Sequence, residues 1–379
     1  MSVLKILHTA DLHLGTRFPG LGDYGAERSK DFVETFQRII TFALDKSIDL
    51  LLIAGDLFDH PRPTPSLFGI VKAQFQKLME ANIPIVIIPG THDNMMASDN
   101  IYLDPFFQKT ILFKDPILKE PKHLQLKGRS LFLYGMSYHP DISVDYLENL
   151  KKKPDLEGIH IGLLHGSIQG SPDWKIYGKD FPLQISDLYA LDLDYVALGH
   201  YHNRTVYEKE GRIYASYPGT PEGKRFKESG HRYVHLLEID EMNKISLVPI
   251  PVNTKTLIEE PIDLFTVPSE ASLSKEILKF GGDEILARIV LKGITEDILD
   301  IEKIQADAAP YFVYVEIVDE TSVIESAWIQ RLESEHSIRG FFVRKMKEKM
   351  EALTTEEERR IYKEAFKEIV SEFQKRQTV

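Results

Sequence analysis

The chain has 379 residues, no cysteine, and a formal net charge of -12 from 58 acidic and 46 basic side chains. The lack of cysteine excludes disulfide scaffolds, zinc–thiolate and iron–sulfur sites, and thiol nucleophiles, so any metal must be held by His, Asp, Glu, Asn or backbone oxygen. The acidic balance argues against long-range attraction to nucleic acid, but it does not speak to local contacts, and bound divalent cations would offset part of it.

Taken in chain order, five short apolar runs read as buried strands: 3–11 (VLKILHTAD), 48–56 (IDLLLIAGD), 83–93 (IPIVIIPGTHD), 159–166 (IHIGLLHG) and 195–202 (YVALGHYH). Amphipathic stretches at 27–46 and 66–81 separate the first three; in the second, Leu67, Val71, Phe75 and Leu78 recur at helical spacing. This alternation predicts an α/β core with a largely buried sheet and sites at the carboxyl ends of its strands. The prolines at 249, 251 and 261 suggest a linker, followed by a small helix–strand–helix–strand unit. From 330 to 379 the chain carries 12 basic and 10 acidic residues around periodic apolar ones, with Thr355 and Glu358 in a capping-box pattern, so two helices are expected there. No run approaches the roughly 18 apolar residues of a membrane span. The N-terminus lacks a basic stretch and a small-residue cleavage site, so a cytoplasmic protein is expected.

Every strand-like run ends in a metal-ligand or acid–base type: Asp11 and His13, then Asp56, then His92 and Asp93, then His165, then His200 and His202. In extended backbone, residues two apart point the same way, so Asp11/His13 and His200/His202 could each address one ion or two adjacent ions. Carboxylates mixed with imidazoles suit Mn²⁺, Fe²⁺, Zn²⁺ or, less well, Mg²⁺. Two such ions about 3.5–4 Å apart would clamp an in-line displacement at phosphorus. Taken singly, each motif is more ordinary as a polar turn or a core histidine; the five in order carry the inference.

The motifs DLHLG, GDLFD, GTHD, LLHG and GHYH resemble the five motifs of the calcineurin-like metallophosphoesterases. With the later YPGTPEGKRF segment, the cap-like unit and the helical end, the chain resembles the SbcD-type nuclease subunits of DNA double-strand-break repair complexes over essentially its whole length. The resemblance implies an α/β fold: a four-layer α/β/β/α core (1–255), a small α/β capping domain (256–328), and a linker with a helical ATPase-binding tail (329–379). It implies two divalent ions, Mn²⁺ preferred, one held by Asp11, His13 and His202, the other by His165 and His200, with Asp56 bridging. His92 would protonate the leaving oxygen, with Asp93 orienting its ring, and a metal-bound hydroxide would attack the phosphodiester. The implied activity is a 3′→5′ exonuclease on duplex DNA and an endonuclease on single strands. The family's third motif is G-N-H-D; here Thr91 replaces the ligating Asn, so the second ion is expected to bind more weakly.

By the same resemblance His60 would help seat a DNA end. Arg17, Arg62, Lys224 and Arg225 are candidates for phosphate contacts, and ordinary solvated loops are the competing reading. The apolar stripe Phe342, Met346, Met350, Tyr362, Phe366, Ile369 and Phe373 would dock an SbcC-type coiled-coil ATPase. The helix over 66–81 and the stretch 95–108 would build a homodimer. Two other readings stand beside the nuclease: a small-substrate phosphodiesterase or nucleotidase on the same core, and a catalytically weakened DNA-end-binding scaffold for the ATPase.

Overall fold

A computed structural model describes residues 3–376 apart from 119, 141–146, 149, 154, 171–181, 268, 296–297 and 325. Contacts divide the chain into two compact units, Met1–Thr256 and Leu257–Val379.

The first unit runs β1 (Leu4–Thr9), α1 (Gly25–Asp45), β2 (Leu50–Ala54), α2 (Pro65–Glu80), β3 (Ile85–Ile88), β4 (Ile111–Leu112), β5 (Lys122–Leu126), β6 (Arg129–Gly135), β7 (Ile159–His165), β8 (Ser167–Ile168), β9 (Pro182–Leu183), α3 (Ile185–Ala190), β10 (Tyr195–Gly199), β11 (Thr205–Lys209), β12 (Arg212–Tyr217), β13 (Tyr233–Ile239) and β14 (Ile245–Pro251). These strands make two six-stranded sheets, ordered β14-β13-β1-β2-β3-β4 and β11-β12-β10-β7-β6-β5, besides the short β8–β9 pair. Each sheet has a parallel centre. Strands β1, β2 and β3 run parallel in one, and β6, β7, β10 and β12 in the other.

The alternation of side chains across the strands builds the layers. Leu4, Ile6, Leu50, Leu52, Val86 and Ile88 face the second sheet and share its core with Leu131, Leu133, Ile161 and Leu163. Leu7, Leu51, Ile53, Ile85 and Ile87 face the other way, onto Phe32, Phe36 and Ile40 of α1 and Val71, Phe75 and Leu78 of α2. α3 packs Leu188 on the second sheet, so the layers are α/β/β/α. Val71, Phe75 and Leu78 are fully covered within this unit. Pro249 and Pro251 do not form a linker. They sit in β14, an edge strand, where a missing N–H leaves no central ladder bond unmade.

The second unit holds β15 (Thr256–Asp263), α4 (Glu270–Leu278), β16 (Gly282–Lys292), β17 (Ile294–Thr295), α5 (Ile301–Ala308), β18 (Phe312–Asp319), β19 (Ser322–Val323), α6 (Ser326–Ser334), α7 (Ile338–Ala352) and α8 (Glu356–Lys375). β15, β16 and β18 form a three-stranded sheet, and Pro261 lies in its edge strand β15 rather than in a linker. Thr355 caps α8 by accepting from the Glu358 N–H. The tail departs from the expected free stripe. Phe342, Met346, Met350, Phe366 and Phe373 pack with Val343, Val370, Leu332 and Ile324 into a small core of their own. Tyr362 is half-buried under the Lys349 ammonium. Of the seven residues expected to dock a partner, Ile369 alone is exposed, and it is joined on the surface by Ile338, Phe341 and Ile361.

Candidate metal and active site

The parallel strands β1, β2, β3, β7 and β10 all deliver their carboxyl ends to one place. After β1 and β2 the two loops continue side by side: Asp11 N–H donates to Gly55 O, and His13 N–H to Asp56 O at 2.9 Å. Approach is close enough that a Cβ on Gly55, whose φ is +93°, would strike the His165 ring, and one on Gly199 the Ala54 carbonyl. Asp11 (φ 52°), His13 (φ 45°), Asp56 (φ 50°) and His200 (φ 112°) all lie in the left-handed region. The extended backbone expected for the D-x-H and H-x-H pairs is therefore corrected. Their side chains converge through strained turns, a conformation that persists only where surrounding contacts over-determine it.

Among the described residues, three groups of potential ligand atoms each lie within 4.8 Å of one another: Asp11 with His13 and His202, Asp11 with Asp56 and His165, and His13 with Asp56 and His92. The His200 side chain lies outside these groups among the described residues. Its backbone N–H donates to both Asp11 oxygens at 3.0 Å, and its ring meets His165 edge-on.

The protonation pattern fits cations. His13 Nδ1 donates to Asp59 Oδ1 at 3.0 Å and His202 Nδ1 to Glu228 Oε1 at 2.9 Å. As neutral imidazoles both rings then present a lone pair at Nε2, and the two Nε2 atoms face each other at 3.1 Å. Two lone pairs so close repel unless a positive charge lies between them. Burial holds the His13 imidazole down to about 4, so it is neutral and able to ligate. On the other side His165 Nδ1 donates to Ala54 O at 3.0 Å, and among the described residues its buried Nε2 has no hydrogen-bond partner. Nε2 lies 3.5 Å from Asp56 Oδ2. Burial opposes charge on this ring, but the Asp56 carboxylate raises it to about 9. Burial likewise opposes charge on Asp56, and the imidazoles of His165, His13 and His92 hold that carboxyl well below its usual range. Besides His92 at the rim, the three groups offer three imidazoles and two carboxylates, which suits a divalent ion of the first transition row.

Thr91 Oγ1 donates to Asp56 Oδ2 at 3.2 Å, so it leans on the carboxylate shared by two of the groups. His92 is exposed at the rim, its backbone N–H on Asp56 Oδ1 at 2.8 Å and its ring edge-on to His13. The role expected for Asp93 is corrected. Its oxygens accept from Gly90 N–H, Phe58 N–H and Tyr102 OH, all buried, so it staples the turn. Asp59 stands beside the His92 ring instead, with Oδ1 3.4 Å from Nδ1.

Of the residues proposed for DNA, Arg17 and Arg225 are exposed. Arg62 is exposed and paired with Asp99 at 2.6 Å, and His60 Nδ1 accepts from the Arg62 N–H. Lys224 does not track along the surface: its ammonium is mostly buried, 2.8 Å from Asp59 Oδ1. Asp59 and Glu228 were missed from sequence. The second acid of GDLFD was a legible signal for Asp59, whereas Glu228 meets His202 only through the fold.

Residues 4–204 match the family model described as calcineurin-like phosphoesterase. The chain is 28% identical over 240 residues to an uncharacterized metallophosphoesterase, YhaO of Bacillus subtilis, covering 62% of this chain and 57% of that one. It is 32% identical over 230 residues to the DNA double-strand break repair protein Mre11 of Sulfurisphaera tokodaii, covering 60% and 56%. To the protein of the same name from Saccharolobus solfataricus it is 29% identical over 230 residues, with the same coverage of 60% and 56%. The chain thus spans little more than half the length of these relatives.

Proposed function

Because the chain belongs to the calcineurin-like phosphoesterases, we propose that it is a metal-dependent phosphodiesterase whose substrate is DNA, the SbcD-type nuclease subunit of a double-strand-break repair complex. The observation that carries the reading is the pair of facing Nε2 atoms beside the Asp56–His165 pair, at the place where five strands end. The repair proteins among the relatives supply the choice of DNA over a small diester.

On this reading Asp11, His13 and His202 hold one ion and Asp56 and His165 the other, with Asp11 and Asp56 close to both and His200 beside them. Bound divalent ions, Mn²⁺ in this proposal, supply Lewis acidity and a nucleophile at neutral pH. The chain's own part is to orient. Asp59 and Glu228 fix two imidazoles, and Thr91 and the His92 N–H hold the Asp56 carboxylate. His92 stands at the open rim with Nδ1 turned to Asp59, so in its imidazolium form, with both nitrogens protonated, the Nε2–H would be the proton given to the leaving oxygen. A homodimer and a coiled-coil ATPase docked on the α7–α8 surface complete the proposal, in a cytoplasmic setting.

The test is cleavage of linear duplex and circular single-stranded DNA by the metal-stripped chain with Mn²⁺ restored, beside His92→Ala. Cleavage that needs Mn²⁺ and disappears in the variant, while Mn²⁺ binding persists, supports the nuclease. Hydrolysis of a small phosphodiester with no attack on DNA would favour the small-substrate reading. Tight end binding without turnover in any metal would favour the scaffold.

A further inference from the structure

A network of hydrogen bonds that meets at Lys224 lies behind His13 and His202. Asp59 Oδ1 accepts from His13 Nδ1 at 3.0 Å, and Glu228 Oε1 from His202 Nδ1 at 2.9 Å. Both carboxylates converge on one residue. The Lys224 ammonium is 2.8 Å from Asp59 Oδ1, and the Lys224 backbone N–H donates to Glu228 Oε2 at 2.7 Å. The two Nε2 atoms face each other 3.1 Å apart on the opposite side of the rings from these carboxylates.

The loop that carries Lys224 is anchored from the far side. Fully buried Arg28 of α1 donates to Gly223 O and pairs with Glu222 Oε1 at 2.7 Å. Glu222 Oε2 accepts from Thr35 OH and from the Thr254 N–H at 2.7 Å. Thr220 OH donates to the carbonyl of Asp11 at 2.8 Å. The loop is therefore fixed to helix, strand end and ligand turn together.

His165 is supported differently. Its Nδ1 is held by the Ala54 carbonyl, at the end of β2, and not by that network. One cluster of ligands thus depends on two side-chain carboxylates and a distant loop, and the other on sheet backbone.

We propose that Asp59 and Glu228, tied together through Lys224, are positioning residues that set the affinity of the ion at Asp11, His13 and His202 independently of the ion at Asp56 and His165. This rests on the two-ion reading above. Carboxylates that orient ligating imidazoles typically contribute about 10- to 100-fold in metal affinity.

The experiment is a Mn²⁺ titration of the whole chain by calorimetry and electron paramagnetic resonance, with thermal melts alongside. Asp59→Ala and Glu228→Ala should each weaken one of two Mn²⁺ sites by about 10- to 100-fold and leave the other unchanged. Asp59→Asn keeps an oxygen for His13 Nδ1–H and should recover most of the loss, which a merely structural role would not predict. Wild-type affinity at both sites in a folded Asp59→Ala or Glu228→Ala would overturn the proposal, as would equal weakening of both sites. If either alanine variant does not fold, the other and Asp59→Asn carry the same comparison. A wild-type chain that binds fewer than two ions would instead refute the two-ion reading.

Discussion

At the scale of single residues, the site is a set of imidazoles whose protons are already placed. His13 and His202 are directed by carboxylates, and burial keeps His13 neutral. His165 is the exception. Buried beside Asp56, it holds its proton up to about 9, and that proton must leave before Nε2 can ligate. The sign follows directly. Below about 9 binding at this position releases a proton, so affinity rises with pH by up to about tenfold per unit and levels off once the ring is neutral. Calorimetric Mn²⁺ titrations at pH 7 and 8 in buffers of different ionisation enthalpy should show release of about one proton per chain from this group. A pH-independent affinity with no proton release would contradict the assignment of His165.

At the scale of elements, the inner faces of the two sheets carry a buried polar chain. His8 Nδ1 meets Tyr195 OH at 2.9 Å, Tyr195 OH meets Ser216 Oγ at 2.6 Å, and Ser216 Oγ meets His235 Nδ1 at 2.7 Å. His8 and His235 are opposite residues of β1 and β13, so one sheet supplies both rings and the other both hydroxyls. Burial holds His235 down to about 3 and His8 well below its usual value. Each is a histidine with a depressed folded-state value, so the unfolded chain takes up protons that the folded chain refuses. Stability from these groups is full above about 6.5 and falls as pH drops from there toward about 3. The loss from His235 approaches about 1.4 kcal/mol per pH unit for one proton. Thermal melts between pH 7 and 4 should show this decline, and His235→Phe should flatten it. An unchanged slope in the variant would place the acid sensitivity elsewhere.

At the scale of the whole molecule, the chain divides into a phosphoesterase unit and a second unit in which α/β and helical segments share one contact cluster. The tail's apolar stripe is spent on its own packing, so deleting it would expose Ile324 and uncover Trp328 as well as remove any docking face. Point changes on the outer surface are the sharper probe. Ile338 is 87% exposed and Phe341 58%. Ile338→Asp and Phe341→Asp should leave stability within about 0.5 kcal/mol, as surface changes do, and abolish capture of a coiled-coil ATPase in a pull-down. Phe366→Ala should instead cost about 3–5 kcal/mol of local stability through the cavity it leaves. Full capture by both surface variants would move the docking face off α7.

The strands and the candidate ligands at their ends were legible because a parallel strand covered on both faces is a continuous apolar run, and its end is marked by glycine and a polar residue. From IDLLLIAGD alone, both β2 and Asp56 follow. Thr355 and Glu358 announced the start of α8 for a similar local reason. What the sequence could not show was set by contacts between distant residues, which leave no periodicity to read. His13 finds Asp59 46 residues away, and Asp59 finds Lys224 165 residues away. Pro249 and Pro251 look like a linker until β13 pairs beside them and makes their strand an edge. An apolar helical stripe reads the same whether it awaits a partner or packs on its neighbour. Only the folding of α7 against α8 decided which side of the tail faces water. The sequence by itself determined which residue types end the strands and therefore the chemistry; the tertiary structure decided which of them face one another, because orientation depends on partners the chain brings in from afar.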